Sequence, residues 1–264
     1  MEVRLLEKNK EKGKLSFILK DATPSYANTL RRIMIEEVPT MAIEDIEFRK
    51  NSSILYDEII AHRLGLVPLT TDLKSYTLPE KCKCEGKGCA RCQLKMTLKA
   101  KGPVIVYASD IKTKDAEIKP VYPKMIIVKL LKNQALELEA TAVLGKGKAH
   151  AKWCPGLIHY KQKPDIEISQ KCDGCGKCIE VCSTKTLELK DNKASVVKDH
   201  LFDCHLCSAC EDICPKEAIK VKPSSDFIFY IESWGQLEPK KIVIEAVNIF
   251  NEQLDEFQAL LRKK

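Results

Sequence analysis

The sequence predicts an α+β protein: antiparallel strands through the middle, a helix near each end, and a small cysteine-bound insert late in the chain. Three observations carry this. Leu94, Met96, Leu98 and Ala100 alternate with Lys95, Thr97, Lys99 and Lys101, and Leu136, Leu138, Ala140 and Ala142 alternate with Glu137, Glu139 and Thr141. A period of two belongs to half-buried antiparallel strands, so the middle of the chain is β-rich. Apolar residues near the C-terminus recur in steps of four and three, as on one face of a helix. Finally, eight of the thirteen cysteines form two copies of one spacing, Cys172-x2-Cys175-x2-Cys178-x3-Cys182 and Cys204-x2-Cys207-x2-Cys210-x3-Cys214, the second followed by Pro215.

Taken in order, Val3 to Leu6 and Leu15 to Leu19 read as strands around the turn Lys12-Gly13-Lys14. A helix follows from Pro24 to Val38, with Thr23 as N-cap, Pro24 at the first helical position and Pro39 ending it. Ala27, Leu30 and Met34, backed by Ile33, form its buried face and leave Arg31 and Arg32 pointing elsewhere. Ile43 to Phe48 alternates with charges like a strand, and the strands at 94–100 and 136–142 complete the β-rich region. From Asp165 to Lys222 come a cysteine block, a hairpin (Thr186 to Leu189 and Ala194 to Val197, joined by Asp191-Asn192), a second cysteine block and a strand from Ala218 to Val221, with Pro164 and Pro223 as brackets. Phe227 to Ile231 resumes a host strand, and a long helix starts at Pro239.

That helix carries Val243, Val247, Phe250, Leu254, Phe257 and Leu261 at heptad spacing, with Ile242, Ala246, Ile249 and Leu260 widening the seam. Leaving such a set half wet would forfeit on the order of 10 kcal/mol, at about 1.5–3 kcal/mol for each full burial. One side of the seam is expected to pack internally, and the other to take a partner.

Bulk properties set the frame. With 264 residues, 44% hydrophobic and 31% charged, the chain suits a soluble protein of two or three modules. No apolar run approaches the roughly 20 residues of a membrane span, and Met1 to Lys10 has no signal-peptide stretch, so a cytoplasmic location is expected. The net charge of +7 is spread among acidic neighbours almost everywhere, a weak pointer to nucleic acid that is equally compatible with a solvated Lys/Glu surface. In a reducing compartment, cysteines at these spacings point to metals ahead of disulfides.

The doubled spacing is the ligand pattern of a two-cluster ferredoxin. Three thiolates two residues apart wrap three corners of a cubane, while the fourth cysteine reaches the other cluster. The expected sets are crossed: Cys204, Cys207 and Cys210 with Cys182, and Cys172, Cys175 and Cys178 with Cys214. Cys182 is followed by Ser183, not proline, which leaves one or two clusters, 4Fe-4S or 3Fe-4S, open. Leu201, Phe202, Leu206, Ala209 and Ile213 are expected to shield the first-named set better. The other, beside Asp173, Gly174, Gly176 and Lys177, is expected to hold a second cluster or a disulfide. Cys82-x-Cys84-x4-Cys89-x2-Cys92 is a separate candidate, since four thiolates within a polar loop can close a tetrahedron around zinc; oxidised or free thiols are the alternative. Cys154 reads as a small buried residue, and His205, within the second block, as solvent-facing or supporting a ligand.

The run Asp21 to Met34, with its Asn28-Thr29-Leu30-Arg31-Arg32 core, then Glu36-Glu37-Val38-Pro39 and Ala61-His62-Arg63-Leu64-Gly65-Leu66-Val67-Pro68-Leu69, resembles the alpha-like assembly subunits of RNA polymerase. The cysteine loop, Lys152-Trp153-Cys154-Pro155 and the ferredoxin-like segment are similar to archaeal members that carry such an insert. The resemblance implies an alpha-like dimerisation domain from residues 1–40 and 225–264, an inserted β-rich domain over 41–164 with the cysteine loop at 82–92, and a ferredoxin-like iron-sulfur domain over 165–223. It also implies pairing through 239–264 with the small subunit called L, Arg31 and Arg32 facing the second-largest catalytic subunit, and small zinc-bearing subunits N and P as neighbours. The chain would be a non-catalytic scaffold of DNA-directed RNA polymerase, with no catalytic residues of its own, no specific DNA contact and no membrane. An electron-transfer subunit of an oxidoreductase is the competing class, though the chain has no Gly-x-Gly-x-x-Gly fingerprint. A zinc-dependent nucleic-acid-binding protein is a weaker third, because Cys82 to Cys92 opens no helix.

Overall fold

In the computed structural model, residues 1–85 and 87–262 are described. Gly86 of the cysteine loop and Lys263 and Lys264 of the expected terminal helix lie outside the described residues. In chain order the elements are β1 (Glu2–Asn9), β2 (Lys14–Lys20), α1 (Pro24–Glu36), β3 (Thr40–Asn51), α2 (Asp57–Gly65), β4 (Gln93–Lys101), β5 (Val104–Tyr107), β6 (Lys112–Thr113), β7 (Ile126–Leu130), β8 (Ala135–Gly145), β9 (Gly156–Ile168), α3 (Lys177–Val181), β10 (Leu187–Lys190), β11 (Lys193–Val196), α4 (Ala209–Asp212), β12 (Ile219–Ser233) and α5 (Pro239–Arg262). They fall into two units. One comprises Met1–Glu7, Ser16–Ala27 and His159–Tyr230; the other comprises Lys8–Leu15, Asn28–Ile158 and Ile231–Lys264.

The second unit is organised by a sheet of order β3-β8-β4-β6. The alternating runs pair antiparallel, Gln93 opposite Val143 through Lys101 opposite Ala135. Met96, Leu98, Leu136, Leu138, Ala140 and Ala142 are buried in one core with Ile60 and Leu64 of α2 and Val128 and Leu130 of β7. On the opposite face the charges pair across strands, Lys95 with Glu139 at 2.6 Å and Lys99 with Glu137 at 3.0 Å. These exposed pairs add little energy, but they fix a register in which a one-residue slip would turn the core face to water.

Helix α1 begins as its cap predicts: the Tyr26 amide donates to Thr23 Oγ1 at 3.2 Å. Ala27, Leu30, Ile33 and Met34 are buried. The helix stops at Glu36, two residues before the expected end, with Val38 still donating to the Ile33 carbonyl at 3.2 Å in a final turn.

The first unit contains most of the sheet of order β1-β2-β12-β9 and, apart from it, the hairpin β10-β11. Phe17 and Phe229 stack at 5.1 Å, and Tyr160 meets Phe227 edge-on at 5.5 Å. Asp191 and Asn192 both take positive φ (51° and 58°), as a two-residue turn between strands requires. The segments expected as separate strands at 218–221 and 227–231 are one strand, β12. Pro223 lies within it and Pro164 within β9. Proline's fixed φ fits extended backbone and removes one ladder donor, which is tolerated in β9 at the sheet edge and at the exposed Pro223.

Candidate metal centres

The cysteine loop folds as two short turns that face one another. The Cys82 amide donates to the Pro79 carbonyl at 3.3 Å, and the Cys92 and Gln93 amides both donate to the Cys89 carbonyl at 3.0 Å. The four sulfurs all lie within 4.8 Å of one another. Contacting pairs are 3.4 Å (Cys82–Cys84), 3.5 Å (Cys84–Cys92), 3.6 Å (Cys82–Cys89) and 3.8 Å (Cys89–Cys92). A tetrahedron with zinc–sulfur bonds of about 2.3 Å has edges of about 3.8 Å, so the set fits one zinc ion with little adjustment. Hydrogen bonding within the thiol cluster, with Cys82 as the foremost partner, holds the Cys84 thiol down at about 7, whereas burial pushes Cys92 up to about 12. Crowded sulfurs with such divergent acidities are what a divalent cation would neutralise together.

The two ferredoxin-type blocks repeat one backbone design. Gly174 and Gly176 in the first block, and Leu206 and Ser208 at the matching places in the second, all adopt left-handed φ, at 73°, 79°, 59° and 60°. After the fourth cysteine of each block, Lys185 and Glu217 do the same, at 52° and 48°. The Thr186 amide then donates to Cys182 Sγ at 3.3 Å, and the Ala218 amide to Cys214 Sγ at 3.3 Å. Ser183 in place of proline therefore leaves the local path of the chain unchanged. Gly174 is the position with least freedom, since a Cβ there would sit 2.3 Å from the Asn192 carbonyl oxygen.

Each small cavity gathers one crossed set. Cys182, Cys204, Cys207 and Cys210 line one, with Ile166, Leu187 and Val221 among its walls. Cys172, Cys175, Cys178 and Cys214 line the other, with Ala194, Ala218 and Ile219. Electrostatics group the thiols the same way. Burial pushes Cys178 up, and Cys172, Cys175 and Cys214 add to it; burial pushes Cys210 up to about 11, and Cys182, Cys204 and Cys207 add to it. Neither set closes into a single-ion cage like the loop's, and each surrounds a space instead, as ligands of a multi-iron cluster must.

All thirteen cysteines are free thiols in the structure. The expected difference in shielding needs correction. Of the five residues invoked for the second block, Ala209 lines the cavity, Ile213 is exposed, and Leu201, Phe202 and Leu206 are half-buried. Apolar cover comes from the buried core beneath both sites, where Leu187, Ala194 and Ile219 pack with Cys178 and touch Cys172 and Cys210. Thr184 and Thr186 are supporting groups that the spacing did not reveal. Their hydroxyls lie 2.7 Å apart beside Cys182, and although burial works to raise this thiol, their hydrogen bonds bring it below its ordinary value. Cys154 is half-buried and donates to the Gly156 carbonyl at 3.4 Å; His205 is exposed at the rim of its cavity.

Two parts of the chain match known protein families. Residues 42–159 match the RNA polymerase Rpb3/RpoA insert domain, and residues 171–218 match the 4Fe-4S dicluster domain. The chain is 39% identical over 264 residues to DNA-directed RNA polymerase subunit Rpo3 of Methanosarcina mazei, covering 99% of this chain and 98% of that one. It is 40% identical to Rpo3 of Methanothermobacter thermautotrophicus, covering 97% of each, and 35% identical to that of Pyrococcus furiosus, covering 100% and 98%. The chain belongs to the Rpo3 family of archaeal RNA polymerase subunits. The electron-transfer alternative finds no support in these Rpo3 relatives. The iron-sulfur segment is thus part of an Rpo3-type chain, and none of the described helices is long and apolar enough to cross a membrane.

Two further features of this Rpo3-family chain lie on its helices. On α1, Arg31 donates through Nε and Nη2 to Asn28 Oδ1 at 3.2 and 2.9 Å, and Arg32 forms a two-point pair with Glu36 at 3.2 and 3.1 Å. The side chains are held in place along the helix by their own neighbours. On α5, Ile242 and Ala246 are buried, but every described residue from Asn251 to Arg262 is exposed, including Leu254, Phe257, Leu260 and Leu261.

Proposed function

We propose that the chain is the non-catalytic scaffold on which an archaeal RNA polymerase assembles, working in the cytoplasm. The observation that carries this reading is the bare apolar half of α5 on a chain that matches Rpo3 end to end. A helix with that face is half of an interface. The occupant is the small alpha-like subunit L, seated on residues 239–264. Arg31 and Arg32 face the second-largest catalytic subunit, and subunits N and P are further neighbours; no contact with a specific DNA sequence is involved. The domain division is residues 1–40 with 225–264 for dimerisation, 41–164 for the inserted β-rich domain and 165–223 for the iron-sulfur domain.

In this reading Cys182, Cys204, Cys207 and Cys210 hold one cluster and Cys172, Cys175, Cys178 and Cys214 a second, while Cys82, Cys84, Cys89 and Cys92 hold zinc. Each cluster set takes three ligands from one block and one from the other, so occupied sites bind the two halves of the insert together. Their role is to keep that insert folded. A tagged chain purified anaerobically from its own cells should bring the large polymerase subunits in equal amounts. Recovery with a reductase, or alone, would overturn the proposal.

A further inference from the structure

Lys161 on β9 precedes the insert, and it is a half-buried lysine whose ammonium points into protein rather than water. Its Nζ donates to the carbonyl of Phe202 and reaches that of Cys204 at 3.5 Å, while lying 5.7 Å over the Tyr230 ring. Tyr230 is itself stacked on His159 at 5.1 Å, so the lysine stands on a packed aromatic floor. Phe202 and Cys204 flank the end of the short 3-10 turn Lys198–Asp203 that delivers the first ligand of the second block. The same turn is gripped at its middle, where Thr186 Oγ1 donates to the His200 carbonyl at 3.3 Å, and Thr186 also donates its amide to Cys182. Lys161 and Thr186 thus hold one turn from two sides, next to two ligands of the same crossed set.

The first block is anchored differently. Cys172 Sγ accepts from the Ala194 amide of the insert's own hairpin at 3.4 Å, and the Cys175 amide donates to Asp173 Oδ1 at 3.2 Å. Two sites built on one backbone design therefore differ in what supports them: the first leans on the insert, the second on a strand outside it.

We propose that Lys161 is a positioning residue that ties the second cysteine block to strand β9, so that retention of the cluster at Cys182, Cys204, Cys207 and Cys210 depends on this strand while retention at the other site does not. The ammonium neutralises two carbonyl dipoles at the root of the ligand loop and adds positive charge beside an anionic site. Removing a group that supports metal ligands in this way costs about 10–100-fold in affinity. The proposal rests on the crossed sets given above.

The test uses the full chain, reconstituted anaerobically with iron and sulfide, in two backgrounds that each keep one site. Cys172→Ser with Cys175→Ser keeps the second site; Cys207→Ser with Cys210→Ser keeps the first. Iron release to a chelator is followed by visible absorbance, with Lys161→Met and Lys161→Arg introduced into each. Lys161→Met should release iron about tenfold faster where only the second site remains and at an unchanged rate where only the first remains, and Lys161→Arg should restore most of the retention. Equal acceleration in both backgrounds, which a general loss of fold would produce, overturns the proposal, as does no acceleration in either. If neither background retains a single intact cluster, the two sites are not separable as the proposal requires and it falls; two intact single-cluster backgrounds with no selectivity reject Lys161 alone, and the crossed sets are tested separately by Cys182→Ser with Cys207→Ser, which should leave one cluster intact.

Discussion

Replacing Leu254 and Phe257 with aspartate should separate assembly from folding. Leu254 is 50% exposed, Phe257 60%, Leu260 68% and Leu261 63%. At about 2 kcal/mol for full burial of each such side chain, covering these four is worth about 5 kcal/mol of association energy. The double substitution removes about 2 kcal/mol of that and places two carboxylates against an apolar partner surface, for a total loss of about 4 kcal/mol or more, close to a thousandfold in Kd. Neither side chain is buried in the chain itself, so its own stability should change by no more than about 0.5 kcal/mol. Sedimentation velocity of the chain with the small alpha-like subunit, alongside thermal unfolding of the chain alone, reads both quantities. A variant that still sediments as a tight one-to-one complex refutes the docking face. Collapse of the isolated variant would show that α5 is packed internally instead.

Other expectations follow from the same geometry. In metal-free protein, iodoacetamide should modify Cys84 first, with half its full rate near pH 7, and Cys92 last, because Cys84 is held down at about 7 and Cys92 is pushed up to about 12; peptide mapping that finds Cys92 modified before Cys84 would reject this, and one equivalent of zinc should protect all four thiols. The crossed sets predict that Cys182→Ser combined with Cys207→Ser damages one site and leaves a second cluster intact by iron and sulfide analysis. Ligand sets confined to each block would instead leave both sites damaged. Thr23→Ala should cost about 1 kcal/mol through loss of the α1 cap, visible in chemical denaturation, and an unchanged midpoint would show the cap to be replaceable.

Much of this fold is legible in the sequence where one physical signal dominates. Strands β4 and β8 announce themselves because each buries one face only, and α1 because its cap, its proline and its apolar stripe agree. Helix α2 is silent: its nine residues bury only Ile60 and Leu64, and Tyr56 at its start offers no side-chain cap. Strands β5 and β7 are short apolar runs without alternation, which periodicity cannot assign. The prolines at 164 and 223 read as boundaries by local rule alone, because the sequence does not reveal that Pro164 lies in β9 at a sheet edge and that Pro223 is exposed within β12. At the candidate centres the cysteine spacing pointed to the groups that line each cavity, since thiol chemistry leaves a fixed pattern along the chain. Lys161 and Thr186 left none, because their role comes from contacts 41 and 14 residues away in sequence.

The central claim is that this chain nucleates a polymerase through α5, and reconstitution from separate subunits tests it most directly. Omitting the chain, or supplying one ended at Glu238, should leave the two largest subunits unassembled and templated RNA synthesis absent, while the full chain restores both. Assembly of an active enzyme without the chain, or with the chain ended at Glu238, would contradict the account.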